Sequence, residues 1–241
     1  MSIHQPKSQI HSLLERLDDY HSLQHHHDVA VADAMDRIQQ WQRWRMQQTH
    51  ATLFAKPSTA PLADYLLYRI YHRHTFDIIA KQLHTAATHA TKGTGRLEKL
   101  IPKNTLHAAI LGIDATLNMI KMDLALAKYY LNHHRHQPLD ETLMHSLYQA
   151  ANDPEARLVQ INNIGEVCRL CHRHFRSFLL QKSFKFAKFS AYKNGYQPLY
   201  DFIGEGLAAI DVIDDIDEFA TTFVANETAA IRHFYDDGGK I

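Results

Sequence analysis

The sequence predicts an all-α protein, and three observations carry that expectation. An apolar seam at alternating spacings of four and three runs from Leu106 to Leu131, the period of a helix face. Glycine and proline are scarce, nine and seven in 241 residues, too few for a turn-dense β chain. The one stretch that alternates at period two, Ser183–Phe189, has no partner strand, and Phe184, Lys188 and Tyr192 also satisfy helical spacing. A lone strand leaves its backbone unpaired, so this stretch reads as helix. At 45% apolar and 22% charged residues, a chain of this length buries roughly 70–75% of its unfolded surface without a disulfide or metal staple. The expectation is one all-helical domain over residues 1–241, a bundle of seven to eight helices. Any sub-division would fall near 132–154.

The elements follow in order. Residues 8–26 carry Ile10, Leu13, Leu14, Leu17 and Leu23 on one side. Residues 28–54 carry Val31, Met35, Ile38, Trp41 and Arg45, and stop before the stretch from Lys56 to Pro61. A third helix runs from Leu62 to about Ala90 and is closed by Gly93 and Gly95, which remove the helical preference. The seam helix starts after Pro102, where a missing N–H is harmless. Its seam is Leu106, Ile110, Ile113, Leu117, Ile120, Leu124, Ala127 and Leu131, with His107, Asp114, Lys121 and Lys128 on a neighbouring stripe. Being the most apolar, it is expected to lie centrally. Asp140 caps a short helix to Ala151, Pro154 opens one carried to about Tyr192, and residues 198–213 and 215–237 complete the chain.

Residues 1–14 contain no continuous apolar stretch and no run approaches ~18 apolar residues, so neither a signal peptide nor a membrane span is expected. Cys168 and Cys171 are then reduced thiols in a cytoplasmic protein. Nineteen histidines are scattered along the chain, enough to make net charge climb steeply below neutrality; surface positions are the plain reading of them.

Trp41 to Ala55, followed by Pro61 to Tyr71, resembles the FFLEELY-motif proteins, an uncharacterised family of bacterial helical proteins. The name motif falls on Tyr65-Leu66-Leu67-Tyr68-Arg69-Ile70-Tyr71. Apolar or aromatic character is kept at its first three and last two positions, while Tyr68 and Arg69 stand where the two central glutamates would be. Weaker similarity covers most of the remaining chain. The resemblance implies a shared helical fold in which Tyr65, Leu66, Ile70 and Tyr71 bury one helix face, and it brings no reaction with it.

Four short motifs invite chemistry. Cys168-Arg169-Leu170-Cys171-His172 spells a c-type haem attachment signature, which normally requires export. Cys168, Cys171, His172 and His174 could instead hold zinc, although one straight helix usually presents only two or three ligands to one ion. Asp18, His21 and His25 form a second stripe of ligand types. A di-iron carboxylate bundle is excluded because no Glu-x-x-His occurs. Asp211, Asp214, Asp215, Asp217 and Glu218 resemble half of a magnesium-diphosphate motif with no second half, and Asp215 and Asp217 also suit a helix start. No cofactor and no catalytic residue is implied, because no nucleophile–base pair can be named.

Charge distribution is the most informative feature. The formal net charge is zero, which excludes a wholly basic nucleic-acid binder. Yet residues 167–200 contain no Asp or Glu, and carry Arg169, Arg173, Arg176, Lys182, Lys185, Lys188 and Lys193 interleaved with aromatics including Phe186 and Phe189. From Asp201 to Asp237 ten acids face only Arg232. Either the two blocks neutralise each other internally, or the basic stretch is free to meet an anionic partner. RNA or the ribosome fits lysines with stacking aromatics, an anionic membrane surface fits lysines with inserted Phe, and a protein partner is a further alternative. The expectation is a non-enzymatic binding protein that uses Arg169–Lys193, with Trp41 and Trp44 either core or a second contact. The alternative is a helical metal- or haem-binding protein using the Cys168/Cys171/His172/His174 cluster.

Overall fold

The computed structural model describes residues 9–92, 103–151 and 153–235, and every regular element among them is helical. Eleven α-helices are formed among these residues: α1 Gln9–His21, α2 Val29–Thr49, α3 Ala51–Phe54, α4 Ala60–Tyr65, α5 Arg73–Thr91, α6 Lys103–His133, α7 Glu141–Ala151, α8 Pro154–Phe175, α9 Phe178–Lys193, α10 Gln197–Asp211 and α11 Ile216–Tyr235. A 3₁₀ turn, Gln24–His26, precedes α2, and a π-helical turn, Leu66–Ile70, follows α4. No described helix is long and apolar enough to cross a membrane.

The expected seven to eight helices become eleven because three long segments break. Residues 28–54 break at His50 (φ −111°, ψ 17°). The segment from Leu62 to Ala90 breaks at the π turn, where the Tyr71 N–H donates to the Leu66 carbonyl, and at extended His72. Residues 154–192 break at Ser177, whose ψ of 120° leaves the helical region. None of these breaks contains glycine or proline. His50 and Tyr71 instead direct their side chains to buried acids, so tertiary hydrogen bonding overrides local preference there.

Helix starts follow the sequence more closely. The Asp28 carboxylate accepts from the Ala30 and Val31 N–H groups, Asp140 from Leu143, Asp153 from Glu155 and Asp215 from Glu218. Each satisfies an N–H that the helix itself leaves unpaired. Asp215 therefore caps α11, in keeping with its reading as a helix start.

The seam of α6 is packed inward: Ile110, Leu117, Ile120, Leu124 and Ala127 are buried, and Leu106, Ile113 and Leu131 are partly buried against them. The helix lies against α1, α2, α7 and α8, and α11 closes the same core from beyond α8. A smaller core joins α3, α4, α8, α10 and α11 around Leu53, Leu62, Ile213 and Phe219. Trp41 packs against the main core and meets the Phe234 ring at 5.8 Å, whereas Trp44 is half exposed.

Close helix approach requires two glycines. A Cβ on Gly165 would lie 2.7 Å from Val224 Cγ2 where α8 crosses α11, and one on Gly206 would lie 2.8 Å from the Tyr65 ring where α10 meets α4.

Candidate functional site

The basic aromatic stretch splits at Ser177 into two environments. Arg169 and Arg173 lie on α8, and Arg176 lies just beyond its end. Arg169 Nε donates to Asp217 at 2.8 Å, while its Nη atoms bond Glu166 and Thr221. Arg176 Nε lies 3.9 Å from Asp211, and its Nη1 lies 3.0 Å from His172. Two of the seven cations are thus paired with carboxylates of the acidic block, as internal neutralisation would have it.

On α9 the arrangement is different. The helix contains no buried residue and is fastened mainly to α10. Phe184 stacks on Tyr200 at 4.1 Å between centroids, Gln181 donates to Asp211, and Tyr192 donates to Asp201. The opposite side presents Phe178, Leu179, Phe186 and Phe189, which are 69–79% exposed. A 100° step per residue sets Lys182 and Lys193 among these apolar side chains and Lys185 at their edge. Among the described residues, none of Lys182, Lys185, Lys188 and Lys193 forms an ion pair with a carboxylate. Lys182 lies over the Phe178 ring at 5.9 Å and Lys188 over Tyr192 at 5.3 Å, contacts that leave the charge exposed.

The Cys168/Cys171 group sits elsewhere. Cys168 is buried in the smaller core and Cys171 packs partly against it. Burial pushes both thiols up to about 12, away from the thiolate that metal binding requires. Cys168, Cys171, His172 and His174 do not bring their donor atoms together. Among the described residues that happens at His25, His26 and Asp77, and at Glu141, His145 and His233. The Asp18/His21/His25 stripe is broken because α1 ends at His21, and Asp18 meets His84 at 2.9 Å instead.

Sequence reasoning missed a buried polar interior. A cavity of about 120 Å³ lies between α2, the π turn, α6, α8 and α11, walled mostly by apolar side chains. At one side Arg45 clasps Glu227 through both Nη atoms at 2.5 and 2.9 Å, and His50 Nε2 lies 2.8 Å from the same carboxylate. The His50 ring is sandwiched between Phe54 and Phe223 at 4.9 and 4.5 Å. Arg45 and His50 hold the Glu227 carboxyl down at about 2 despite its burial. Gln42, one turn before Arg45, donates to Tyr148.

A second buried acid, Asp123 on α6, accepts from Tyr71 at 2.7 Å and lies 3.4 Å from Arg157 Nη2. Burial raises its carboxyl, and Arg157 and Tyr71 offset part of that. Two signals for this interior existed in the sequence: Arg45 continues an apolar stripe, and Asp123 stands beside Leu124 on the seam helix. Glu227, counted with the acidic block, is committed to Arg45.

The family model for a domain of unknown function, DUF8198, matches residues 21–239. The chain belongs to the DUF8198 family. The region matched to DUF8198 takes in α2 to α11, hence both the cavity wall and the exposed face of α9. No match to this DUF8198 chain was found among curated proteins or among solved structures. In this DUF8198 protein, Leu66, Leu67 and Ile70 of the π turn and Tyr71 just after it line the cavity. Tyr68 meets Gln47 at the surface and Arg69 pairs with Glu205 at 2.5 Å.

Proposed function

We propose that this DUF8198 protein, which we also place among the FFLEELY-motif proteins through Tyr65–Tyr71, is a non-enzymatic cytoplasmic binding protein. Its contact surface is the outer face of α9, and its partner is a phosphate-bearing polyanion, RNA or the ribosome first of all. The observation that supports this reading is the exposure of Phe186 and Phe189 beside Lys182, Lys185 and Lys193, which have no carboxylate partner among the described residues. Phosphates supply the counter-charge, and unpaired bases stack on the two rings, a pairing typical of single-strand binding. Arg169 and Arg176, already engaged with acids, position the segment more than they contact a partner.

A second reading has its own support. Leu179 has no π-face, and with Phe178, Phe186 and Phe189 it gives the helix an exposed apolar side, interspersed with lysines, suited to an anionic bilayer surface. Titrating single-stranded homopolymer RNA and, separately, vesicles of anionic or neutral lipid separates the two. RNA binding through these three lysines gives a log–log salt slope of about −2.1, so affinity falls roughly 20-fold between 50 and 200 mM salt. Binding to anionic vesicles alone transfers the role to the membrane, and binding to neither overturns the proposal.

A further inference from the structure

We infer that His25, His26 and Asp77 form a binding site for a divalent transition ion of the zinc type. Their donor atoms all lie within 4.8 Å of one another. Two elements bring them together: the 3₁₀ turn Gln24–His26 carries the imidazoles, and the first turns of α5 carry the carboxylate.

An independent observation sets this group apart from ordinary buried histidines. His25 is 3% exposed, and among the described residues neither of its ring nitrogens has a hydrogen-bond partner; Nε2 of His26 is likewise buried and unpartnered among them. Buried polar atoms without partners are rare and call for a reason. The two imidazoles stand 4.0 Å apart between centroids, and His26 Nδ1 lies 3.9 Å from Asp77 Oδ1. A metal ion lodged between them supplies a missing partner for a ring nitrogen of His25.

The surroundings are those of a supported ligand set. The Asp77 carboxylate accepts from the Tyr20 hydroxyl and from Arg73 Nη1 at 3.1 Å. Arg73 is in turn fixed by Asp36 at 2.6–2.7 Å. Ligating carboxylates are commonly oriented by outer hydrogen bonds of this kind. The Tyr20 ring meets His26 edge-on at 4.7 Å, which fixes the plane of that imidazole. Two nitrogens and one oxygen suit zinc, whereas magnesium and calcium require oxygen ligands. Zinc bonds of about 2.0–2.2 Å put tetrahedral donors roughly 3.4 Å apart, so binding draws the side chains together by about an ångström. Three protein ligands fill three of the four positions that tetrahedral zinc takes.

The test uses the full chain without a polyhistidine tag, stripped with chelator and titrated with Zn²⁺, with Mg²⁺ as control. The expected result is one tight equivalent and a melting temperature raised by roughly 5–10 °C at a hundredfold excess over Kd. His25→Gln abolishes that equivalent. Tyr20→Phe weakens it by about 10–100-fold, and His145→Gln, in the more exposed Glu141/His145/His233 group, leaves it intact. Zinc-edge anomalous diffraction from wild-type crystals places the ion without depending on how any variant folds. No tight equivalent, an equivalent retained in His25→Gln, or an anomalous peak away from these three side chains overturns the inference.

Discussion

Replacing Glu227 by Gln perturbs a buried charge held by an arginine and a histidine. The carboxylate is 4% exposed and holds Arg45 at 2.5 and 2.9 Å and His50 at 2.8 Å. The amide keeps the shape but leaves the Arg45 guanidinium buried without a counter-charge, and removing one partner of a buried pair costs about 3–5 kcal/mol. A second route gives a similar figure. Arg45 and His50 lower the Glu227 carboxyl from 4.5 to about 2, a shift worth on the order of 3 kcal/mol. Because the folded value is the lower one, that stabilisation is complete above about pH 4.5 and is lost as pH falls toward 2. Urea unfolding of wild type and Glu227→Gln between pH 7 and pH 2.5 measures both effects. The variant is expected to be ~3–5 kcal/mol less stable at pH 7, with the gap constant down to about pH 5 and narrowing below it. A gap below ~1 kcal/mol at neutral pH, or one that does not change with pH, would refute the reasoning.

Two further outcomes follow from packing and ion pairing. Gly206→Ala sets a Cβ 2.8 Å from the Tyr65 ring and should lower stability by about 1–3 kcal/mol. Gly112→Ala, whose Cβ meets only Val167 Cγ1 at 3.7 Å, should be neutral or stabilising by up to ~1 kcal/mol; thermal unfolding compares them. Arg169→Ala removes bonds to Asp217 and Thr221 that tie α8 to α11, and one to Glu166 within α8. It should cost about 1 kcal/mol in chemical denaturation while leaving RNA affinity within about twofold of wild type.

What was legible in the sequence is what periodicity and capping chemistry determine. The α6 seam, the caps at Asp140 and Asp215 and the proline start of α8 follow from spacing and side-chain type alone. So does the helical state of the alternating Ser183–Phe189 stretch, which lacked a pairing partner. The breaks at His50, Tyr71 and Ser177 were not legible, because no glycine or proline marks them. Two of them are set by contacts with residues far along the chain, Glu227 and Asp123. The candidate site divides in the same way. Charge patterning located the basic stretch, but only the folded arrangement separates the engaged Arg169 and Arg176 from the lysines of α9. His26 and Asp77 are 51 positions apart in sequence, beyond the reach of any local ligand motif.

The most direct measurement compares polyanion affinity and melting temperature in one variant carrying Lys182→Gln, Lys185→Gln, Lys188→Gln and Lys193→Gln. All four side chains are exposed and without carboxylate partners among the described residues, so the melting temperature should stay within a few degrees of wild type. Single-stranded RNA affinity should fall by more than tenfold, and its salt slope should collapse toward zero. Unchanged affinity in a folded variant, or a loss of binding that only accompanies melting, would contradict the assignment of this helix as the contact surface.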